Sequence, residues 1–385
     1  MRKSLTYKVL AAVMAVSAVN VFVPHNMLAY DITSDNTTIS TETINDNVYG
    51  NGHNFTINGG TINGDVYGVG NDNYDEAASG GNVTISGGSI SGDVYGGRSN
   101  NDSANNNTVN IKDYVIISNN YHNLAAIHGG QSNDGSANNN TVNISCGTIR
   151  SVGASIDVYG GYSEMGSAND NEIIISGSAD ITNANLHGYG GRVTNATGNT
   201  LTIDGWSDST KSVQNFNDIA FKNINWNENK PVLTITTGDL TNTTIDTIHI
   251  AGGSNINVGE SMTLIESGNN TNLGLTEGNV TDTFTAGVAL EGTGTTSVDN
   301  EGNVSFTVNN LKASSQAVGA AQTRAASAAF VNQGTDLISD SLDTISRDDN
   351  YGVKTFAAVH GNRSKYDVAD DIKINGWSTI VGVGN

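Results

Sequence analysis

Apolar residues recur in pairs through residues 47–205, with one polar residue inside each pair. Each pair ends in isoleucine, and these isoleucines are 28, 26, 33, 31 and 28 residues apart. Alternation with a period of two predicts strands with one buried face, and a repeat of about 30 residues predicts stacked units rather than one compact core. The six pairs are Phe55/Ile57, Val83/Ile85, Val109/Ile111, Val142/Ile144, Ile173/Ile175 and Leu201/Ile203.

A second motif, mostly an apolar residue followed by a ring and glycine, alternates with the first. Glycine supplies positive φ at corners, and asparagine tolerates left-handed geometry and stacks as a hydrogen-bonded ladder. The sequence therefore predicts a parallel β-solenoid with coils about 4.8 Å apart. The ring positions are Tyr49, Tyr67, Tyr95, His128, Tyr159 and Tyr189, and an asparagine stands four residues before each of the last four isoleucines, at Asn107, Asn140, Asn171 and Asn199.

Two polar insertions interrupt the repeat with nearly the same sequence, at Ser99–Asn107 and Ser132–Asn140. We expect them to stand out from the rod on one side, and that side is the predicted binding surface. The alternative, that they are solvated spacers without a ligand, stays open at this point.

The chain changes character after residue 205. Residues 206–310 keep the β-type alternation without the repeat, which predicts C-terminal coils and a cap. Residues 311–350 are rich in alanine and predict a helix, with Gly334 as a break or kink. Two strand-like runs follow, Val353–Gly361 and Ile372–Val383, each about as long as a tilted membrane strand. Trp377 would suit an interfacial girdle.

The first 29 residues have the pattern of a signal peptide. A basic start with Arg2, Lys3 and Lys8 precedes the mostly apolar run Val9–Val23, which is short for a transmembrane helix. The chain has one cysteine, Cys146, so it has no internal disulfide.

Composition agrees with a solenoid and gives little support to a nucleic-acid partner. Only 36% of residues are hydrophobic and 14% are charged, which fits coils that each bury a few side chains. The net charge is −21, and residues 31–310 contain 30 acidic and 7 basic residues. A segment this acidic predicts no contact with nucleic acid.

The order of these parts resembles the autotransporters of the type V secretion pathway. Ala320–Asn332, together with Phe356–Asn362 and Asn375–Gly384, resembles the start of their translocator barrel. Ser261–Ile265 resembles passenger segments just before that barrel.

The resemblance implies an all-β chain in four parts. These are a signal peptide at 1–29, a parallel β-solenoid passenger at 30–310 (repeats 47–205, C-terminal coils 206–310), a linker helix at 311–350, and the first strands of a transmembrane β-barrel at 351–385. About ten of the family's usual twelve strands are missing, so we expect a truncated barrel.

The resemblance also implies a function. The protein would be exported to the outer membrane, with the outer membrane and its barrel-assembly machinery as partners, and would hold its passenger at the cell surface. The passenger would act as an adhesin-type or structural module, with an unidentified host-surface or glycan ligand, and not as an enzyme. The alternative is a secreted β-helix enzyme that degrades polysaccharide.

Residues able to do chemistry are scattered along the chain. The sequence predicts no catalytic residue, cofactor or metal ligand, and His128 occupies a tyrosine position of the repeat. Asp65, Asp93 and Asp157 share one repeat position, where they form either a carboxylate ladder or solvated corners. The stretch Gly68–Tyr74 resembles a single calcium-binding nonapeptide, which leaves calcium binding as a third hypothesis.

Overall fold

The fold is described from a computed structural model of the 385-residue chain. The structure describes residues 30–70, 76–117, 125–150, 155–193, 195–227, 230–269, 273–275, 281–346, 352–368 and 370–384. The predicted signal peptide lies outside the described residues, as do residues 71–74 of the stretch that resembles a calcium-binding nonapeptide.

The described residues are mostly β-strand, with one helix. The first strands are β1 (Tyr30–Asp31), β2 (Thr37–Ile39), β3 (Thr43–Ile44), β4 (Val48–Tyr49), β5 (Phe55–Ile62), β6 (Val66–Val69), β7 (Asn82–Ile90), β8 (Val94–Ser99), β9 (Thr108–Ile111), β10 (Val115–Ile117), β11 (Ala125–Ser132), β12 (Thr141–Ile144), β13 (Ile149–Arg150) and β14 (Ile156–Ser163). The later elements are β15 (Glu172–Ser176), β16 (Ala184–Gly191), β17 (Thr200–Asp204), β18 (Asp208–Gln214), β19 (Asp218–Ile224), β20 (Leu233–Asp239), β21 (Thr244–Ile250), β22 (Ser261–Ser267), β23 (Thr281–Ala286), β24 (Leu290–Val298), β25 (Val304–Ala313), α1 (Ser315–Ser346), β26 (Lys354–Val368) and β27 (Asp370–Gly384).

Strands β1 to β21 pair in parallel with the strands one coil earlier and one coil later. The isoleucines of the repeat face one another across this ladder, so that Ile57 pairs with Ile85 and Ile85 with Ile111. Parallel pairing between segments 26–28 residues apart winds the chain into successive coils. The predicted all-β fold with a parallel stack is therefore confirmed.

The core runs along the inside of the coils as one continuous cluster. In the coil that contains β7 and β8, the side chains of Val83, Ile85, Ile90 and Val94 are fully buried. Burying such a side chain contributes about 1.5–3 kcal/mol. Because each coil supplies only a few of them, each coil depends for its stability on its neighbours.

The stack extends beyond the regular repeat at 47–205, within the predicted solenoid at 30–310. Ile39 pairs with Ile57 at the N-terminal end, and Ile203, Phe221 and Ile248 continue the ladder at the other end. Ile203 and Phe221 are separated by a shorter coil that has no polar insertion. The regular spacing is therefore lost in the sequence after residue 205, although the coils continue in the structure.

Antiparallel strands close the C-terminal end of the stack. Strand β22 pairs in parallel with β20 and antiparallel with β25, and β23, β24 and β25 form an antiparallel meander. Phe306 packs edge-on against Phe284, with ring centroids 5.4 Å apart, and against Trp226 at 6.4 Å. These rings fill the end of the core, as the predicted cap requires.

Helix α1 starts directly after the cap. The Ser314 hydroxyl oxygen accepts a hydrogen bond from the Ala317 backbone N–H at 3.1 Å, which satisfies one free donor at the start of the helix. The helix continues through Gly334, so the predicted break there is wrong. Its buried residues recur every four positions, at Ala325, Ala329, Gln333, Leu337 and Ser341.

The two C-terminal strand predictions are confirmed, and both strands are longer than expected. Strands β26 and β27 form an antiparallel hairpin that packs against α1. The buried stripe of the helix meets the hairpin near Gly376, where an added Cβ would lie 2.4 Å from Oε1 of Gln333. Within the described ranges, no helix combines the length and the hydrophobicity that a membrane crossing requires.

Candidate functional site

A ladder of buried asparagine side chains runs along the inside of the coils. Oδ1 of Asn140 accepts hydrogen bonds from the backbone N–H and the Nδ2 amide of Asn107, at 2.9 and 3.0 Å. Asn171 and Asn199 repeat this arrangement in the next two coils, and Oδ1 of Asn217 accepts from the Asn199 backbone at 2.9 Å. The predicted asparagine ladder is therefore confirmed. These hydrogen bonds inside the stack fix how each coil is aligned with the next one.

Two local features of the sequence allow this ladder. The residue before each ladder asparagine has positive φ, at Asn106, Asn139, Asp170 and Gly198, which turns the following side chain inward. The paired glycines of the repeat pass close to the ladder. At Gly129 an added Cβ would lie 2.3 Å from the Gly160 carbonyl oxygen and 2.9 Å from the Asn140 Cβ.

The ring positions of the repeat, on strands β4, β6, β8, β11, β14 and β16, form a stacked column. Tyr49, Tyr67, Tyr95, His128 and Tyr159 follow one another with ring centroids 4.9–5.1 Å apart. The column ends at His187, 4.5 Å from Tyr159, rather than at the predicted Tyr189. Tyr189 pairs with Gly161 instead, because the motif of the last coil is shifted by two residues.

The repeat aspartates lie beside this column and hold it in place. The Tyr67 hydroxyl donates to Oδ2 of Asp65 at 2.8 Å, and the Tyr95 hydroxyl donates to Oδ2 of Asp93 at 3.0 Å. The other oxygen of Asp65 accepts from the Asp93 backbone N–H at 2.8 Å. Asp65 and Asp93 are therefore stacked, partly buried acceptors, which favours the carboxylate ladder over solvated corners.

The coil with histidine in the ring position lacks the aspartate. Ala126 stands two residues before His128, where Asp65 and Asp93 stand before their tyrosines, so no hydroxyl needs an acceptor there. Burial lowers the pKa of His128 to about 3, and the nearby Arg98 charge adds to this effect. His128 is therefore a neutral stacking residue, which agrees with its predicted structural role.

The second histidine of the column contacts an acid. Gln214 donates from Nε2 to Nδ1 of His187 at 2.7 Å, which places the imidazole proton on Nε2, 3.8 Å from Oδ1 of Asp157. Partial burial opposes ionisation of Asp157, but donors on His187 and Asn185 outweigh it and hold the pKa of that carboxyl below its usual value. Asp157 thus stays ionised as an acceptor inside the stack.

Arg98 covers one part of the column. Its guanidinium carbon lies 4.9 Å from the centroid of the Tyr95 ring, and Nη1 donates to the Tyr67 hydroxyl at 3.2 Å. Burial, followed by the Asp93 charge, raises the pKa of Tyr95 above its ordinary value. The sequence does not predict this role of Arg98, because no basic residue recurs at its position in the repeat.

The polar insertions stack on one another instead of standing out as separate loops. The backbone N–H of Ala104 donates to the Ser136 carbonyl at 2.7 Å, and Ala137 donates to Ser167 at 2.7 Å. A third copy lies at 163–171, and one coil before the first insertion the backbone N–H of Ala78 donates to the Ser103 carbonyl at 2.8 Å; neither was predicted from the sequence. The insertions therefore form an ordered extra edge of these coils, with their alanines and their first serines and last asparagines buried.

Other residues considered in the sequence analysis do not come together. Cys146 is a free, exposed thiol. Among the residues that the structure describes, no group of three histidine, cysteine, aspartate or glutamate side chains could hold a metal ion. The described surface offers regularly spaced hydroxyl and amide groups on a rigid stack, an arrangement suited to binding or to mechanical support.

Comparisons with known proteins do not assign the chain to a group. No protein-family model, no curated protein and no solved structure matches this sequence or fold.

Proposed function

We propose that this chain is a self-exported cell-surface protein of the autotransporter type, whose β-solenoid acts as an adhesin-type or structural module. The proposal is supported by the order of the parts along the chain. A stack of coils leads through an antiparallel cap directly into a capped helix, and the helix packs against a β-hairpin.

The main support for the proposal is a row of exposed apolar side chains on the outward face of the hairpin. Val359, Trp377, Val381 and Val383 alternate along the two strands and are 65–81% exposed. Four large apolar side chains on one face are expensive to leave in water but suit contact with lipid. Arg363, Lys365 and Lys373 follow on the same face beyond Trp377. An apolar stretch, a tryptophan and a basic end are the order expected where a strand leaves the membrane core.

The other face of the hairpin packs against helix α1. Gln333 and Leu337 of α1 are buried, and Nδ1 of His360 on β26 lies 3.4 Å from Oδ2 of Asp340 on the helix. In the proposed arrangement the hairpin is the start of a transmembrane β-barrel and the helix is the linker that passes through it.

The solenoid suits transport without a separate energy source. Each coil gains most of its stability by stacking on the coil before it, through the core and the asparagine ladder. Folding that proceeds coil by coil outside the cell would make backward movement unfavourable. The single cysteine fits this route, because no internal disulfide can hold the chain folded before export.

Surface proteolysis tests the proposal. Intact cells that express the full-length gene are treated with a protease, and residues 30–310 are detected with an antibody. We expect the solenoid to be digested in intact cells. Deletion of residues 354–384 provides the control, which should keep the solenoid protected until the outer membrane is opened. A solenoid protected in both strains, or digested equally in both, contradicts the proposal.

A further inference from the structure

A cleft lies where the last parallel coils meet the antiparallel cap. Its volume is about 680 Å³, and outward side chains of β19, β21, β23, β24 and β25 line it. These five strands are consecutive neighbours in one sheet. At about 4.8 Å between strands, the floor is roughly 19 Å wide, which suits an extended ligand.

One row of side chains across this floor has a lysine at each end. Lys222 stands on β19 and Lys312 on β25, with His249, Thr285 and Glu291 between them. Nζ of Lys312 lies 3.1 Å from Oε1 of Glu291, but the Lys312 side chain is 67% exposed, so water screens this pair.

The acid paired with the other lysine on the neighbouring strand accepts a hydrogen bond from another residue. Asp204 faces Lys222 from β17, outside the cleft, and its Oδ1 accepts a hydrogen bond from Nδ2 of Asn223 at 2.6 Å. Both lysines can therefore meet a ligand from the two ends of the floor.

A second row supplies neutral polar groups. Thr247, Thr283, Thr293 and Asn310 line the cleft on four adjacent strands. Hydroxyl and amide groups both donate and accept hydrogen bonds, as a polyhydroxylated ligand requires. Because all five strands already have partners on both sides, a peptide cannot join this sheet as an added strand in the cleft.

We infer that this cleft binds an anionic polysaccharide, with Lys222 and Lys312 contacting its acidic groups and the threonine row contacting its hydroxyls. Two lysines and a histidine around one glutamate are unusual in a chain with 17 basic and 38 acidic residues. The inference rests on the proposed function for its biological setting, since it names a ligand class for the surface module.

The test uses the purified full chain with immobilised heparin, polygalacturonate and neutral dextran at about 150 mM salt. We expect binding to at least one acidic polymer and none to dextran. The variant Lys222→Gln/Lys312→Gln should weaken that binding about tenfold or more, because each lysine loses a charge-assisted contact.

A matched control separates the cleft from net charge. Lys112→Gln/Lys211→Gln makes the same charge change at two exposed lysines elsewhere on the rod, and we expect it to bind as the parent does. Equal loss in both double variants, equal binding to dextran, or no binding to either acidic polymer overturns the inference. Circular dichroism verifies that both variants fold. Because binding is measured on purified protein, its failure leaves the surface-proteolysis result unaffected.

Discussion

The side-chain amide of Asn107 donates a hydrogen bond to Oδ1 of Asn140 at 3.0 Å, although the two residues are 33 positions apart in the chain. Both side chains are fully buried. Each asparagine therefore depends on the next coil for its partner, and the ladder links the coils from Asn107 to Asn217.

Replacing one ladder asparagine should destabilise the rod strongly. Asn140→Ala leaves the backbone N–H and the Nδ2 amide of Asn107 without their shared acceptor. Unpaired buried donors cost about 1–3 kcal/mol each, so we expect a loss of roughly 2–4 kcal/mol in the free energy of unfolding. Urea denaturation followed by circular dichroism measures it.

The matched control is Asn143→Ala. Asn143 donates to Oδ1 of Asn110 at 2.9 Å on the partly exposed face of the same strand, where water can replace the lost bond. We expect a change below about 1 kcal/mol. Equal effects of the two substitutions would contradict the role of the buried ladder.

Adding one methyl group at a repeat glycine should also disrupt the stack. In Gly129→Ala the new Cβ would lie 2.3 Å from the Gly160 carbonyl oxygen, which belongs to the next coil and cannot move alone. We expect a loss of about 2 kcal/mol or more, measured by thermal unfolding.

Gly319→Ala serves as the comparison for this glycine. Gly319 lies in α1 with nothing within 4 Å of an added Cβ, so alanine should leave stability unchanged or raise it by up to about 1 kcal/mol. A Gly129→Ala protein as stable as the parent would show that the coils can shift apart locally.

Acid should weaken the stack through His128. Its pKa is lowered to about 3 in the folded chain, against an ordinary value of 6.5. The unfolded chain therefore binds one more proton between these values. The contribution of His128 to stability is present above pH 6.5 and falls as the pH drops towards 3, with a slope of at most about 1.4 kcal/mol per pH unit.

The variant Ala126→Asp/His128→Tyr isolates this effect, because it restores the pair found at Asp93 and Tyr95. We expect its urea midpoint to fall less steeply than that of the parent between pH 6.5 and 5. Parallel curves for the two proteins would mean that His128 is not the responsible group.

If the outward face of the hairpin contacts lipid, the cost of adding a charge there should depend on how deep in the membrane the charge lies. Val381→Arg places a charge within the apolar stretch, where it should cost about 2–4 kcal/mol, whereas Asn375→Arg lies beyond Trp377 and should cost about 1 kcal/mol or less. The readout is the amount of protein recovered in washed outer membranes. Equal recovery of both variants would argue that this face meets water.

Several parts of the molecule follow from the sequence alone. The paired apolar residues indicate the strands and their buried face, the asparagines at one repeat position indicate the ladder, and the alanine-rich segment indicates α1. These predictions succeed because alternation and helix propensity are local properties that repeat along the chain.

The tertiary structure decided the rest, because it depends on which residues meet across coils. The coils before residue 47 and after 205 share the register of the stack but not its regular spacing, so the alternation predicts coils at 206–310 while only the structure shows which strands pair there. The insertions stack because Ala104 and Ala137 find carbonyl partners one coil away. Asp65 and Asp93 become partly buried acceptors only when the tyrosines of successive coils align. Lys222 and Lys312 are 90 positions apart in the sequence, and they border one cleft only because the antiparallel cap folds beside the last coils.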